Sequence, residues 1–75
     1  MLEKETKWRL YRCEFEPNIP IVLVEYLKCC QSLEQAQTTI PNLTWQQQEK
    51  GKFVTEPEPM IPTLKKLEYY SIEQR

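Results

Sequence analysis

The side chains of this chain able to do chemistry are three cysteines, eleven glutamates and little else. There is no histidine and no aspartate, and Gly51 is the single glycine. Cys13 stands alone, while Cys29 and Cys30 are adjacent. An odd count with a vicinal pair does not make a disulfide framework. Without histidine or Cys-x-x-Cys spacing, the ligand set for zinc is incomplete. Reduced thiols, some of them in the core, are therefore expected, with no metal and no cofactor. The usual proton acceptor of a serine or cysteine nucleophile is missing. One glycine does not build a phosphate-cradling loop, where several backbone amides must approach the ligand. Glutamate pairs remain as acid–base candidates, but they lie in charge-mixed stretches where nothing raises a carboxyl pKa usefully. The chain is expected to bind something and not to be an enzyme.

The net charge is −1, from ten basic and eleven acidic residues mixed along 75 positions. Residues 1–16 alone hold four of each sign: Lys4, Lys7, Arg9 and Arg12 against Glu3, Glu5, Glu14 and Glu16. No like-charge block of the nucleic-acid-binding kind is present. The first residues, Met1-Leu2-Glu3-Lys4-Glu5, lack the apolar stretch of a signal peptide. The longest apolar stretch, Ile19 to Val24, spans six residues, where a membrane helix needs about 20. A cytoplasmic location without membrane insertion is the expectation.

The elements that must position these groups are read from periodicity and turn chemistry. Residues 7–16 place Trp8 and Leu10 on one face, and Tyr11, Cys13 and Phe15 on the other. The phase slips at Leu10-Tyr11, which favours a strand with a bulge. Helical spacing of Trp8, Tyr11 and Phe15 fits as well. Pro17-Asn18-Ile19-Pro20 breaks that element, and Pro20 suits the first turn of a helix running to about Gln31. Leu23, Val24, Leu27 and Cys30 give this helix an apolar stripe. Ser32 with Gln35 makes a capping box for a second, short helix bearing Leu33, Ala36 and Ile40, which ends at Pro41. Thr44 with Gln47 makes another, for a third helix from Trp45 to about Lys50, with Gly51 as its C′ residue. Asn42-Leu43-Thr44 also matches a glycosylation sequon, and here reads as turn and cap. Phe53-Val54-Thr55 reads as a short edge strand. Residues 56–62 carry three prolines and read as extended. Residues 64–72 fit helix and strand alike.

Four short motifs, Ile19-Pro20, Val24-Glu25-Tyr26-Leu27, Ser32-Leu33-Glu34-Gln35-Ala36 and Pro41-Asn42-Leu43-Thr44, together resemble small antitoxin-like helix-turn-helix proteins over residues 19–48. The resemblance implies a recognition helix opening at a Pro-x-Leu-Thr turn, and a dimer that contacts DNA and a cognate toxin. The chain departs from that pattern in having no glycine before Ile19-Pro20 and in ending its third helix at Gly51.

The fold expected from these readings is mainly α. It has three short helices in a helix-turn-helix-like arrangement, an N-terminal strand and an extended C-terminal arm. Residues 1–53 form the single small domain, and residues 54–75 a proline-rich linker and arm. Gln46, Gln47, Gln48, Lys50 and Lys52 are the candidate DNA-contacting residues, because Gln pairs with adenine and Lys with guanine or phosphate. Met60, Ile61, Leu64, Leu67, Tyr69 and Tyr70 are the candidate partner-binding residues of the arm. Pro59-Met60-Ile61-Pro62 matches PxxP but lacks a basic anchor, and reads as a spacer. Two functions follow as expectations. One is a helix-turn-helix regulator of antitoxin type. The other is an accessory subunit or adaptor that docks on a larger protein through the C-terminal arm.

Overall fold

The computed structural model of the chain describes residues 7–62 and 65–74. Six strands and one helix follow in the order β1 (Trp8–Phe15), β2 (Val22–Cys30), α1 (Leu33–Thr38), β3 (Trp45–Glu49), β4 (Lys52–Thr55), β5 (Glu58–Pro59) and β6 (Leu67–Gln74). The strands make one antiparallel sheet in the order β2-β1-β6-β4-β3, with β5 also paired to β6. The expected three-helix, mainly α fold is thereby overturned.

β1 alternates regularly against β6, from Trp8 opposite Gln74 to Phe15 opposite Leu67. Against β2 the register shifts where expected, at Leu10-Tyr11. Leu10 pairs with Lys28 and Tyr11 with Tyr26, so the extra residue is Leu27 of β2. What looks like a phase slip in β1 is the sheet using both faces. Leu10 is buried on one and Cys13 on the other.

The helix expected from Pro20 to Gln31 is β2. An almost continuous apolar run satisfies a helical stripe and a strand equally, so periodicity does not decide between them. Branched Val22 and Val24 and aromatic Tyr26 favour the strand, and pairing along the whole of β1 settles it.

The second expected helix holds. Ser32 caps α1, its Oγ accepting from the Gln35 N–H at 3.1 Å. The Gln35 side chain returns to the Gln31 N–H at 2.7 Å, one residue ahead of the usual capping-box target. Leu33, Ala36 and Ile40 pack into the core as the sequence stripe requires.

The third expected helix is a hairpin. Trp45 pairs with Thr55, Gln46 with Val54 and Gln47 with Phe53. Gly51, at φ 78°, sits in the turn between β3 and β4 and caps no helix. Its carbonyl accepts from the Gln74 N–H at 2.8 Å. A Cβ at Gly51 would lie 3.1 Å from Gln74 Oε1, a close approach that the flexible Gln74 side chain would have to yield to. β4 is a strand as expected, but it lies inside the sheet between β6 and β3. The expected C-terminal arm is equally displaced, because β6 is the central strand, flanked by β1 and β4.

The core lies between the sheet and α1. Leu10, Cys30, Ala36 and Ile72 are fully or almost fully buried there, ringed by Trp8, Leu33, Ile40, Trp45, Phe53 and Tyr70. Trp8 and Phe53 pack ring on ring at 6.1 Å. α1 thus covers one end of one face and leaves the opposite face without a helix.

Candidate functional site

Directly opposed residues of antiparallel strands point to the same face, so the register assigns the side chains. Beyond α1, the helix-bearing face is polar and centred on Arg12. Its Nε donates to Glu68 at 2.7 Å, one terminal nitrogen to Glu14 at 2.8 Å, and the other to Glu25 at 3.5 Å. Lys66 adds an ion pair with Glu14 at 3.8 Å. The hydrogen bond Arg12 donates to Glu14, more than the one it donates to Glu68, pushes the Arg12 pKa further up, against the opposing effect of burial. One guanidinium thus ties together β1, β2 and β6.

The other face is largely apolar. It carries Tyr11, Cys13 and Phe15 of β1, Val22, Val24 and Tyr26 of β2, and Tyr69 and Ser71 of β6. Tyr11 packs against Tyr26 at 5.8 Å, and Phe15 meets Tyr69 in a T-shaped arrangement at 6.0 Å. An open groove of about 350 Å³ runs between Phe15, Val22, Val54, Pro57 and Tyr69. Burial pushes the Cys13 thiol pKa up, partly offset by a hydrogen bond with Tyr69. Burial likewise pushes Tyr69 up. The Ser71 hydroxyl is buried and has no hydrogen-bond partner.

At the margin of both faces lies β2, which among the described strands pairs with β1 alone and forms one edge of the sheet. Of its nine residues only Cys30 is buried. Val22, Val24 and Tyr26 are 48%, 60% and 55% exposed on the open face. Ile19, Ile21, Leu23 and Leu27 are exposed as well. Ile61 is the one exposed large hydrophobic outside this stretch among the described residues. On the Arg12 side, a smaller depression of about 140 Å³ is lined by Phe15, Ile19, Ile21 and Leu23 together with the charged Glu14, Glu16 and Lys66. Edge strands usually carry charge or proline within the strand to block pairing with other chains. β2 itself carries two charges: Glu25, 3.5 Å from Arg12 with its side chain 62% exposed, and Lys28, beyond the Leu27 bulge.

The sequence-expected residues fall elsewhere. Gln46, Gln47 and Gln48 are exposed on β3, the opposite sheet edge, and Lys50 sits in the turn that follows. Lys52 lies on β4, 3.8 Å from Glu73. None of these lies on a helix, so there is no recognition helix to enter a DNA groove and the DNA-reading role is withdrawn. Met60 and Ile61 follow β5, with the Met60 N–H donating to the Lys66 carbonyl at 2.9 Å. Leu64 lies outside the described residues. Leu67, Tyr69 and Tyr70 belong to the central strand, with Tyr69 and Tyr70 on opposite faces, so they form no free arm. Docking through such an arm is withdrawn with it.

The thiols divide in the same way. Cys13 and Cys30 are buried, Cys29 is exposed, and all three are free. Alternation along β2 turns the adjacent Cys29 and Cys30 to opposite faces. Among the described residues, no group of three or more His, Cys, Asp or Glu side chains is placed to hold a metal ion. Nor is any helix among them long and apolar enough to cross a membrane.

The chain matches no protein-family model, no curated protein and no solved structure. The resemblance to antitoxin-like helix-turn-helix proteins is therefore overturned twice, by the absence of a family match and by the sheet. The segments that carried it are β2, α1 and the approach to β3. Sequence reading missed the β2 edge, although its signal was present: seven apolar residues with a single charge between Ile19 and Leu27.

Proposed function

We propose that this chain is a non-catalytic association module that works by strand pairing along β2. The observation that carries the reading is the concentration of exposed apolar side chains on one sheet edge that no other described strand covers. An added strand gains main-chain hydrogen bonds from the edge and apolar contacts from alternate side chains. Both faces beside β2 offer such contacts, through Val22, Val24 and Tyr26 on one and Ile21 and Leu23 on the other. The free thiols, with Cys29 exposed, suit a reducing compartment such as the cytoplasm.

The test is titration of the intact protein with a short peptide of alternating valine and threonine, followed by amide NMR. Saturable shifts confined to the β2 edge and its apolar margins are expected. Backbone N-methylation of the same peptide, which removes its donors, should abolish them. A peptide that leaves β2 unmoved, or an N-methylated form that acts equally well, contradicts strand pairing.

A further inference from the structure

We propose that the β2 edge takes an extended segment bearing one basic side chain, a lysine or arginine with an apolar residue on either side, set opposite Glu25. This rests on the reading of β2 as an association edge and names the chemistry of its occupant. The regular part of the strand runs from Val22 to Tyr26, before the register shift at Leu27, and Lys28 lies beyond that shift. Val22, Val24 and Tyr26 belong to the open face, and Leu23 and Glu25 to the Arg12 face. A strand laid antiparallel along this edge repeats that division, because opposed residues share a face. Its side chains on the open face meet the exposed Val22, Val24 and Tyr26, and apolar groups suit all three positions. On the other face it meets the exposed Leu23 and then a carboxylate.

Charge decides what stands opposite that carboxylate. Three glutamates surround Arg12, and they are not equally neutralised. Glu14 and Glu68 are held at 2.8 and 2.7 Å, with side chains 16% and 30% exposed. Glu25 lies 3.5 Å away with its side chain 62% exposed. Lys66, the second cation of the group, reaches Glu14 and not Glu25. Among the described residues, two cations thus face three carboxylates, and the one least neutralised stands on the edge strand. Directly opposed side chains of paired strands stand about 5 Å apart at Cβ, within reach of a lysine or arginine head. A basic residue at that position completes the charge balance. A neutral one takes water from Glu25 and returns no partner. An acidic one adds repulsion. The apolar positions therefore hold a segment on the edge, and Glu25 selects among such segments.

Amide NMR titration of the intact protein at low salt, with three forms of the valine–threonine peptide, tests the proposal. One threonine between two valines is kept, replaced by lysine, or replaced by glutamate. The lysine form should bind about three- to tenfold more tightly than the glutamate form, with the threonine form between them. The gap should narrow as salt is raised. Glu25→Gln should remove the gap and Glu25→Lys should reverse it, with circular dichroism reporting that each variant keeps the sheet. Should Glu25→Lys not fold, Glu25→Gln decides alone. Equal binding of all three forms by the native chain overturns the proposal, and so does a preference for lysine that survives Glu25→Gln. In both cases the association edge stands. A native chain that sediments as a dimer with β2 covered holds a second copy there, and this also overturns it. Binding of none of the three forms removes the association edge itself.

Discussion

Cys13 and Tyr69 face each other across β1 and β6 on the open face, and both hold their protons more tightly than in an unfolded chain. The cause is burial on a sheet that no helix covers at that point. For an acid with a raised folded pKa, the stabilising contribution is complete below the unfolded value. It is lost as pH climbs through the folded one. The unfolded thiol titrates near about 8.5, so the effect lies on the alkaline side. The urea midpoint should hold level near neutrality and fall as the solution passes above about pH 9. Cys13→Ala should flatten the first part of that fall, leaving a later decline from Tyr69 and Tyr70, which burial also raises. An identical alkaline profile in the alanine variant would show that Cys13 is not held in this environment.

Among the elements, β6 organises the sheet. It pairs with β1 on one side and with β4 and β5 on the other, and it supplies Ile72 to the core and Glu68 to Arg12. Truncation after Phe53 removes this strand, and the shortened chain should lose its cooperative thermal transition and its near-ultraviolet circular dichroism. A truncated chain that melts cooperatively would restore the view of residues 54–75 as a dispensable arm. What the sequence makes legible follows how local each element is. α1 is readable because Ser32, Gln35 and the Leu33, Ala36, Ile40 stripe act within a few residues of one another. β1 is readable because its aromatic and charged residues alternate. β2 is not, since Ile21 to Val24 is apolar at every position and fits either period. The Thr44 and Gln47 pair imitates a helix cap, yet Trp45–Glu49 is fixed by β4 across the Gly51 turn. β6 depends on partners far along the chain, such as Arg12 and Glu68, 56 positions apart. The candidate edge was hidden for the same reason: an exposed apolar strand becomes a site only once the sheet order leaves it unpaired.

As a whole, the molecule is a thin slab of 51 × 26 × 19 Å, with one six-residue helix on a six-stranded sheet. A chain this small buries only about 60% of its unfolded surface, and few of its side chains are completely enclosed. Pairing along β2 would cover the largest apolar run left open and extend the core sideways. Hydrogen–deuterium exchange of the intact protein, followed amide by amide with and without the valine–threonine peptide, tests this most directly. β6 amides should be the slowest to exchange with or without the peptide, because the strand is paired on both sides. The β2 amides that point away from β1 should exchange quickly in the free protein and be protected when the peptide is bound. Rapid exchange of those amides with the peptide in excess, beside a protected β6, would contradict the association edge. Rapid exchange throughout β6 would contradict the sheet itself.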